Sequence, residues 1–548
     1  MGTQAQVSKL GVRLKALLVA ASAVLLVGAA PSIPRSDSLA AERVRAHVEF
    51  LANDLLEGRD TGSRGHQIAA SYVASEFREL GLKPAGTNGS WFVNVPFRRA
   101  TLAAPPAIAL KLNGKTSQLA AGKDAAVRPS VNHRDLDISA PLVFVGHGVR
   151  DAQLEIDDYA GLDVRGKIVV ALSDPVPGIP TDVAAHLLSV QPQIAGEQGA
   201  VGIIQLDDSA TIASQLQRYS NRPVIDWVDA QGQSSRTNAA SGIVLSSELL
   251  ERIFEKAPKP LRTIRAEVAT GKKIRGFALP ASLTIAAKSD WEDFTSPEVV
   301  AVLPGADPRL AAEHVVLMGH LDHLGLKKDA KPGEDAVYNG ALDNAAGVAT
   351  MLEAAREFVD SGKPPRRSVM FIANTGEEFG LLGASYFSTH PTVPADQIVG
   401  LVDLDMPLLL YDFTDVVAFG SEHSTTAKAV TAAGASMKVS VSPDPMPQET
   451  LFVRSDHYPF VRRGVPAVFL MTGYANGGRL VWQKFLADTY HSVKDDLGQP
   501  IRWEAGARFA ELNYRIARNM ADADQRPMWY AGDYFGETFA PSQPKAKR

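Results

Sequence analysis

The stretch RRSVMFIANTGEEFGLLGASYF (366–387) opens on Val369–Ala373, five apolar residues in a row that read as a buried strand. Just beyond it Glu377 and Glu378 stand side by side, with no basic residue between them and Phe387. Near a buried strand end each carboxylate raises the cost of ionising the other, so the pair calls for something that holds it there.

Working outward, the same apolar signature recurs. Strands are predicted at HVVLMGH (314–320), SVMFIA (368–373), IVGLVDL (398–404) and PAVFLM (466–471). Between the first two, AAGVATMLEAAREFV (345–359) places Val348, Met351, Leu352, Ala355 and Val359 at helical spacing. Strands alternating with helices predict an α/β domain with a mainly parallel central sheet covered on both faces. Ligands of such sheets bind beyond the carboxyl ends of the strands.

The region before this alternation reads differently. In GHQIAASYVASEFRELGLKPAG (65–86), Ile68, Tyr72, Val73, Phe77 and Leu80 share one helical face, and Gly81 sits at the stop position. LAAPPA (102–107) reads as a connector. From about Ser139 to Thr270 short strands sit in loops (PLVFVGHGV, KIVVAL, AVGIIQL), with a helix at SSELLERIFEKA and a linker at KAPKP (256–260). This pattern predicts an inserted, β-rich domain over 139–270. The flanking parts, 31–138 and 271–525, would then form one catalytic domain, with 526–548 as a C-terminal tail.

At 548 residues, with 45% hydrophobic and 21% charged residues, the chain has the composition of a soluble globular protein with room for more than one domain. A net charge of −5 gives no electrostatic case for a nucleic-acid partner. Lys9, Arg13 and Lys15 precede ALLVAASAVLLVGAA (16–30). A membrane span needs about 20 apolar residues, so this shorter run predicts a cleavable signal peptide over 1–30, export to a periplasm or the exterior, and no lasting membrane attachment. The chain has no cysteine, so any metal site must be built from His, Asp and Glu.

Such residues cluster at the predicted strand ends. VVLMGHLDHLG ends at His320, with Asp322 and His323 just beyond; NGALDNAAGVA places Asp343 in a loop that opens a helix. ANTGEEFG supplies Glu377 and Glu378, and GLVDLDMP supplies Asp403 and Asp405. RSDHYPF adds Asp456 and His457, and DTYHSVKDDL adds Tyr490 and His491. Singly each has a bland reading: a hydrogen-bonded interior histidine, a helix cap, a solvated loop charge. Their recurrence at successive strand ends points instead to a site for zinc or a similar divalent ion, held by nitrogen and carboxylate ligands without thiolate. Two ions about 3.5–4 Å apart can share one carboxylate, for which two His and three carboxylates are the minimum set.

In these motifs the chain resembles the M28 family of co-catalytic zinc peptidases, in the subgroup with an inserted PA (protease-associated) domain. The family order H-x-D, D-N, E-E, D-M, Y-H is met here by HLD, DN, EE, DM and YH. The resemblance implies a three-layer, phosphorylase/hydrolase-like zinc-peptidase fold and two zinc ions per chain. His320 and Asp405 would hold one zinc, Glu378 and His491 the other, and Asp343 would bridge them. Asp403 is the weaker of the two aspartates in VDLDM. Glu377 would be the general base, Asp322 would orient His320, and the hydroxyl of Tyr490 would steady a developing oxyanion. A cis peptide between Asp343 and Asn344 is also implied. Asp456 and His457 are assigned nothing beyond support of the ligands, and the PA-like insert would limit substrate access.

The function expected is hydrolysis of N-terminal residues from peptides. A carboxypeptidase or dipeptidase of the same family is the alternative; it must bind a carboxylate, typically with arginine. Met406–Val453 contains no arginine, whereas Arg454 and Arg479 keep that alternative open. A third reading is a non-catalytic binding protein on the same fold.

Overall fold

A computed structural model describes residues 38–236 and 239–548. The predicted signal peptide lies outside the described residues. Among the described residues no helix is long and apolar enough to cross a membrane.

The four predicted central strands form as His314–His320, Ser368–Asn374, Ile398–Asp403 and Ala467–Thr472. They run parallel in the spatial order 368–374, 314–320, 398–403, 467–472. Val315–Met318, Val369–Ala373, Leu401 and Val402 are fully buried. Burying each such Val, Leu or Phe side chain stabilises the fold by about 1.5–3 kcal/mol. Helices Ala346–Asp360 and Trp503–Asp522 pack on this sheet and on each other, with Phe358 edge-on to Tyr514 at 4.7 Å. The architecture is the expected mixed α/β one with a large, mostly parallel central sheet.

Register decides where function can sit. His320 pairs with Asn374 and Met318 with Asp403, so neighbouring strands end nearly level. The chain beyond His320, Asn374 and Asp403 therefore emerges along one edge, carrying the HLDH, GEE and LDM segments with it.

A second sheet, with its own apolar core, is ordered 115–119, 107–112, 277–288, 135–144, 168–172, 202–206, 241–245, 125–127. It reaches beyond the predicted 139–270 span on both sides. The cause is the long strand Phe277–Leu303, whose first half pairs in this sheet while its second half pairs with Phe92–Leu102 and Ser368–Asn374 of the central one. Local alternation announces a strand but not which sheet it joins. Strand Val224–Trp227 likewise crosses over, pairing with Phe92–Leu102. KAPKP joins two helices of this same domain, Ser247–Glu255 and Leu261–Ala269, rather than leading out of it.

Two further expectations need correction. Helix Arg64–Glu79 forms, but it buries His66, Ala69, Ala70, Val73, Ala74 and Phe77, leaving Ile68 exposed. The helix turns its smallest side chains inward, where Gly65 lies too close to the main chain of Leu56 for any Cβ. The predicted tail 526–548 is packed: Trp529 and Phe535 are buried, and Asp533 caps helix Tyr534–Phe539.

Candidate active site

His320, the last residue of its strand, places Nε2 3.1 Å from Asp405 Oδ1 and 3.2 Å from Asp343 Oδ1. Its Nδ1 lies 3.1 Å from the main-chain carbonyl of Asp322, which fits Nδ1–H as the donor and leaves Nε2 facing the carboxylates. Asp322 thus orients His320 through its backbone. Its carboxylate stands 4.0 Å from Nδ1 and instead accepts from Thr61 Oγ1 (3.0 Å) and the Glu377 N–H (3.3 Å).

On the other side of Asp343, Oδ2 lies 3.3 Å from His491 Nε2, which is 3.2 Å from Glu378 Oε2. Asp343 therefore turns one oxygen towards His320 and the other towards His491. All five expected ligands converge on it. A sixth residue joins them: buried His323 places Nδ1 2.6 Å from Glu378 Oε1, and its Nε2 is buried without a hydrogen-bond partner among the described residues. Donor atoms of His320, Asp343 and Asp405 lie close enough together to hold one ion, and those of His323, Asp343 and Glu378 to hold another.

The loop carrying Asp343 is held from several directions. The Asp343–Asn344 peptide is cis, as the resemblance implied. Asp495 accepts from the N–H groups of Leu342 (2.9 Å) and Asp343 (3.0 Å). Asn344 donates to Leu404 O (2.9 Å) and accepts from Gly347 N–H (3.0 Å) and Met406 N–H (3.2 Å), tying this loop to the segment bearing Asp405. A Cβ at position 347 would meet Asn344 Oδ1 at 2.0 Å, so only glycine allows that approach. Beneath, buried Arg59 donates to the carbonyls of Leu51, Leu321, Asn339 and Gly340. Sequence reasoning gave no role to His323, Asp495 or Arg59. The first two sit in quoted motifs, HLDHLG and KDDL, but their partners lie 55 and about 150 residues away.

The site's electrostatics are dominated by surplus negative charge. Withdrawal from water, with Asp405, Glu378 and Asp456 nearby, pushes the Glu377 carboxyl well above its ordinary range despite the opposing pull of His320. Burial raises Asp405 too, against His320. Burial would lower His320, but Asp405 and Asp343 outweigh it and hold the imidazole well above its usual value. His491 is likewise driven up to about 10, burial being overcome by Asp343 and Glu378. Burial would raise Asp343 and Glu378; histidine contacts hold both below the ordinary range. Imidazole and carboxylate donors of this kind, with more acids than imidazoles, fit divalent zinc.

The remaining candidates lie around this cluster. Tyr490 stacks on His491 with ring centres 3.9 Å apart, and burial followed by nearby Asp343 and Glu377 raises its phenol. Asp403 points elsewhere: its Oδ2 accepts from the His457 N–H (3.1 Å) and lies 3.0 Å from His457 Nδ1. Ser455 Oγ stands between Asp403 (2.8 Å) and Asp405 (2.7 Å). Asp456 is buried, with no hydrogen bond to its carboxylate among the described residues.

Over 100 residues the chain is 34% identical to the vacuolar membrane protease of Candida glabrata, covering 18% of this chain and 9% of that one. Over another 100-residue match it is 32% identical to the alkaline phosphatase isozyme conversion protein of Escherichia coli K12, covering 18% and 27%. The chain thus spans well under a third of either relative. Among solved structures it resembles an aminopeptidase from Aneurinibacillus sp. strain AM-1, at 20% identity, TM-score 0.49, and 89% and 95% coverage. It also resembles a peptidase M28 precursor from Shewanella amazonensis SB2B, at 17% identity, TM-score 0.41, and 89% and 96% coverage. Residues 298–517, which carry every candidate ligand above, match the model of peptidase family M28, and in this segment the chain is similar to that family.

Proposed function

We propose that the protein is an exported, zinc-dependent aminopeptidase. The observation that carries this reading is the placement of Asp343 between two histidine–carboxylate groups, His320 with Asp405 and His491 with Glu378. These residues would hold two zinc ions, with His323 as a further donor or a support for Glu378. Bound zinc supplies polarisation of the scissile carbonyl and a lowered pKa for the attacking water.

The chain's own residues do the rest. Glu377, half-buried beside Glu378, takes a proton from the attacking water and passes it to the leaving amine. Its main chain is fixed by Asp322, so Asp322 positions the base as well as His320. Tyr490, braced against His491, would donate its hydroxyl to the oxygen on which negative charge develops.

The amino-end preference is supported by how the two arginines nearest in sequence are engaged. Arg454 bonds the Glu449 carbonyl (3.2 Å) and lies 3.5 Å from its carboxylate, and Arg479 sits over the Tyr474 ring. Glu449 thus occupies the Arg454 fork, while Arg479 stacks on a ring and stands exposed at the surface. The second domain would act as the PA-like insert limiting access, and residues 1–30 as the export signal. Amino-acid anilides and N-blocked dipeptides should be compared on zinc-loaded protein: cleavage of the first alone supports this reading, and cleavage of the second alone supports the carboxypeptidase. Metal analysis of the pure protein should return two zinc ions per chain.

A further inference from the structure

A cleft of about 1260 Å³ opens between the second domain and helices Leu382–Thr389 and His457–Val461 of the peptidase segment. No candidate ligand lines it, yet it begins beside the catalytic loop: Gly380 lines it, and the Gly380 N–H donates to the Glu377 carbonyl at 2.8 Å. Four arginines line the walls, Arg128 and Arg236 from the second domain and Arg462 and Arg463 from the peptidase segment.

These arginines are poorly compensated. Arg128 is half-buried over the Tyr219 ring at 5.1 Å, with no hydrogen bond or ion pair to a carboxylate among the described residues. Burial lowers its pKa, and Arg236 and Arg218 push the same way. Arg463 is lowered by burial and by Arg462. Among the described residues only Arg236 of the four forms an ion pair, with Asp226 at 3.6 Å, and that group already accepts from Ser235 and the Trp227 N–H. The lining acids, Asp135 and Asp137, are exposed. Buried arginines elsewhere are matched, Arg98 by Asp293 and Arg367 by Glu313. Of the four, Arg128 is the one partly withdrawn from water without an anion, which is costly, while Arg236, Arg462 and Arg463 are exposed and present planar forks suited to carboxylates.

We infer that this cleft binds an acidic stretch of the peptide substrate, so that peptides with Asp or Glu several residues from the cleaved end are preferred. The inference rests on the peptidase reading above. The volume exceeds the roughly 300–1,000 Å³ of small-molecule pockets, which suits a run of residues. Arg236 also approaches the loop that carries Glu377, 3.9 Å from where a Cβ at Gly380 would lie, so the basic wall begins three residues from the candidate base.

The test uses zinc-loaded full-length protein, with binding of fluorescent octapeptides followed by anisotropy at low salt. A Glu-rich peptide should bind at least about tenfold tighter than its Gln-rich counterpart, and added salt should erase the difference. The exposed double change Arg462→Glu with Arg463→Glu should abolish the preference while leaving hydrolysis of a leucine anilide, which has no extension, unchanged. Equal binding of the two peptides, or a preference that survives the double change, overturns the inference. Acidic preference without anilide hydrolysis would sink the aminopeptidase reading and uphold the cleft.

Discussion

Two histidine–carboxylate clusters in this molecule use the same residue types and differ in what surrounds them. At the strand ends, His320, Asp343 and Asp405 have side chains only 1%, 4% and 12% exposed. At the seam between the domains, His423 bonds Asp533 through Nδ1 at 2.7 Å, while its Nε2 lies 3.9 Å from both Asp182 and Glu422. There Asp182 is 21% and Glu422 57% exposed. Water shares the charge of the seam acids, and one imidazolium answers the buried Asp533. At the strand ends the surplus charge is largely withdrawn from water, and divalent cations are the natural answer. Burial, more than residue type, separates the candidate metal centre from an ion-pair clasp.

The largest effect should come from the buried centre. Asp343→Ala removes the carboxylate common to both groups, so the purified variant should lose zinc, measured by elemental analysis, and peptidase activity with it. Glu377→Gln should keep its zinc and lose activity by about 10²–10⁴-fold, the usual contribution of a positioned base. Glu378→Gln should lose zinc first. If Glu377→Gln lost zinc while Glu378→Gln kept it, the two roles would be exchanged.

Asp495→Ala tests the support beneath the centre. It frees the Leu342 and Asp343 N–H groups, and zinc affinity should fall by about 10–100-fold, as for other residues that hold ligands in place. Unchanged affinity in a chelator competition would show that the loop holds its shape without Asp495.

The seam should respond to pH rather than to chelators. Burial lowers His423, but Asp182 and Asp533 outweigh it and raise its pKa from 6.5 to about 9. The folded protein then binds this proton more tightly than the unfolded chain. The resulting stabilisation is complete below pH 6.5 and is lost as pH rises through about 9. Its ceiling is about 3 kcal/mol. The stability gap between the native protein and His423→Gln, read from denaturant midpoints, should be wide at pH 6 and narrow by pH 10. A gap independent of pH would refute the clasp. The smallest effect belongs to Glu422→Gln, under about 1 kcal/mol for so exposed a group. A loss of one bound metal in that variant would move the seam into the class of the buried centre.

Much of the centre was legible because its signals are local. Runs such as Val369–Ala373 are apolar on both strand faces, and the motifs of His320, Glu378 and Asp405 end or closely follow such runs, whereas Asp343 opens a helix and His491 follows one. The motif order also marked Asp405 over Asp403, and Asp405 is the one that meets His320. The roles of His323, Asp495 and Arg59 were not legible, since each exists only through partners brought near by the fold.

The sequence by itself determined the α/β alternation, the apolar strands and the imidazole and carboxylate side chains that the fold gathers, because periodicity and residue type are properties of short stretches. Only the tertiary structure decided that Phe277–Leu303 belongs to two sheets, that the segment after Arg526 is packed, and that Asp322 grips His320 by its carbonyl. Those outcomes depend on which distant surfaces meet. Pairing and burial at long range are set by the whole core, so no local pattern encodes them.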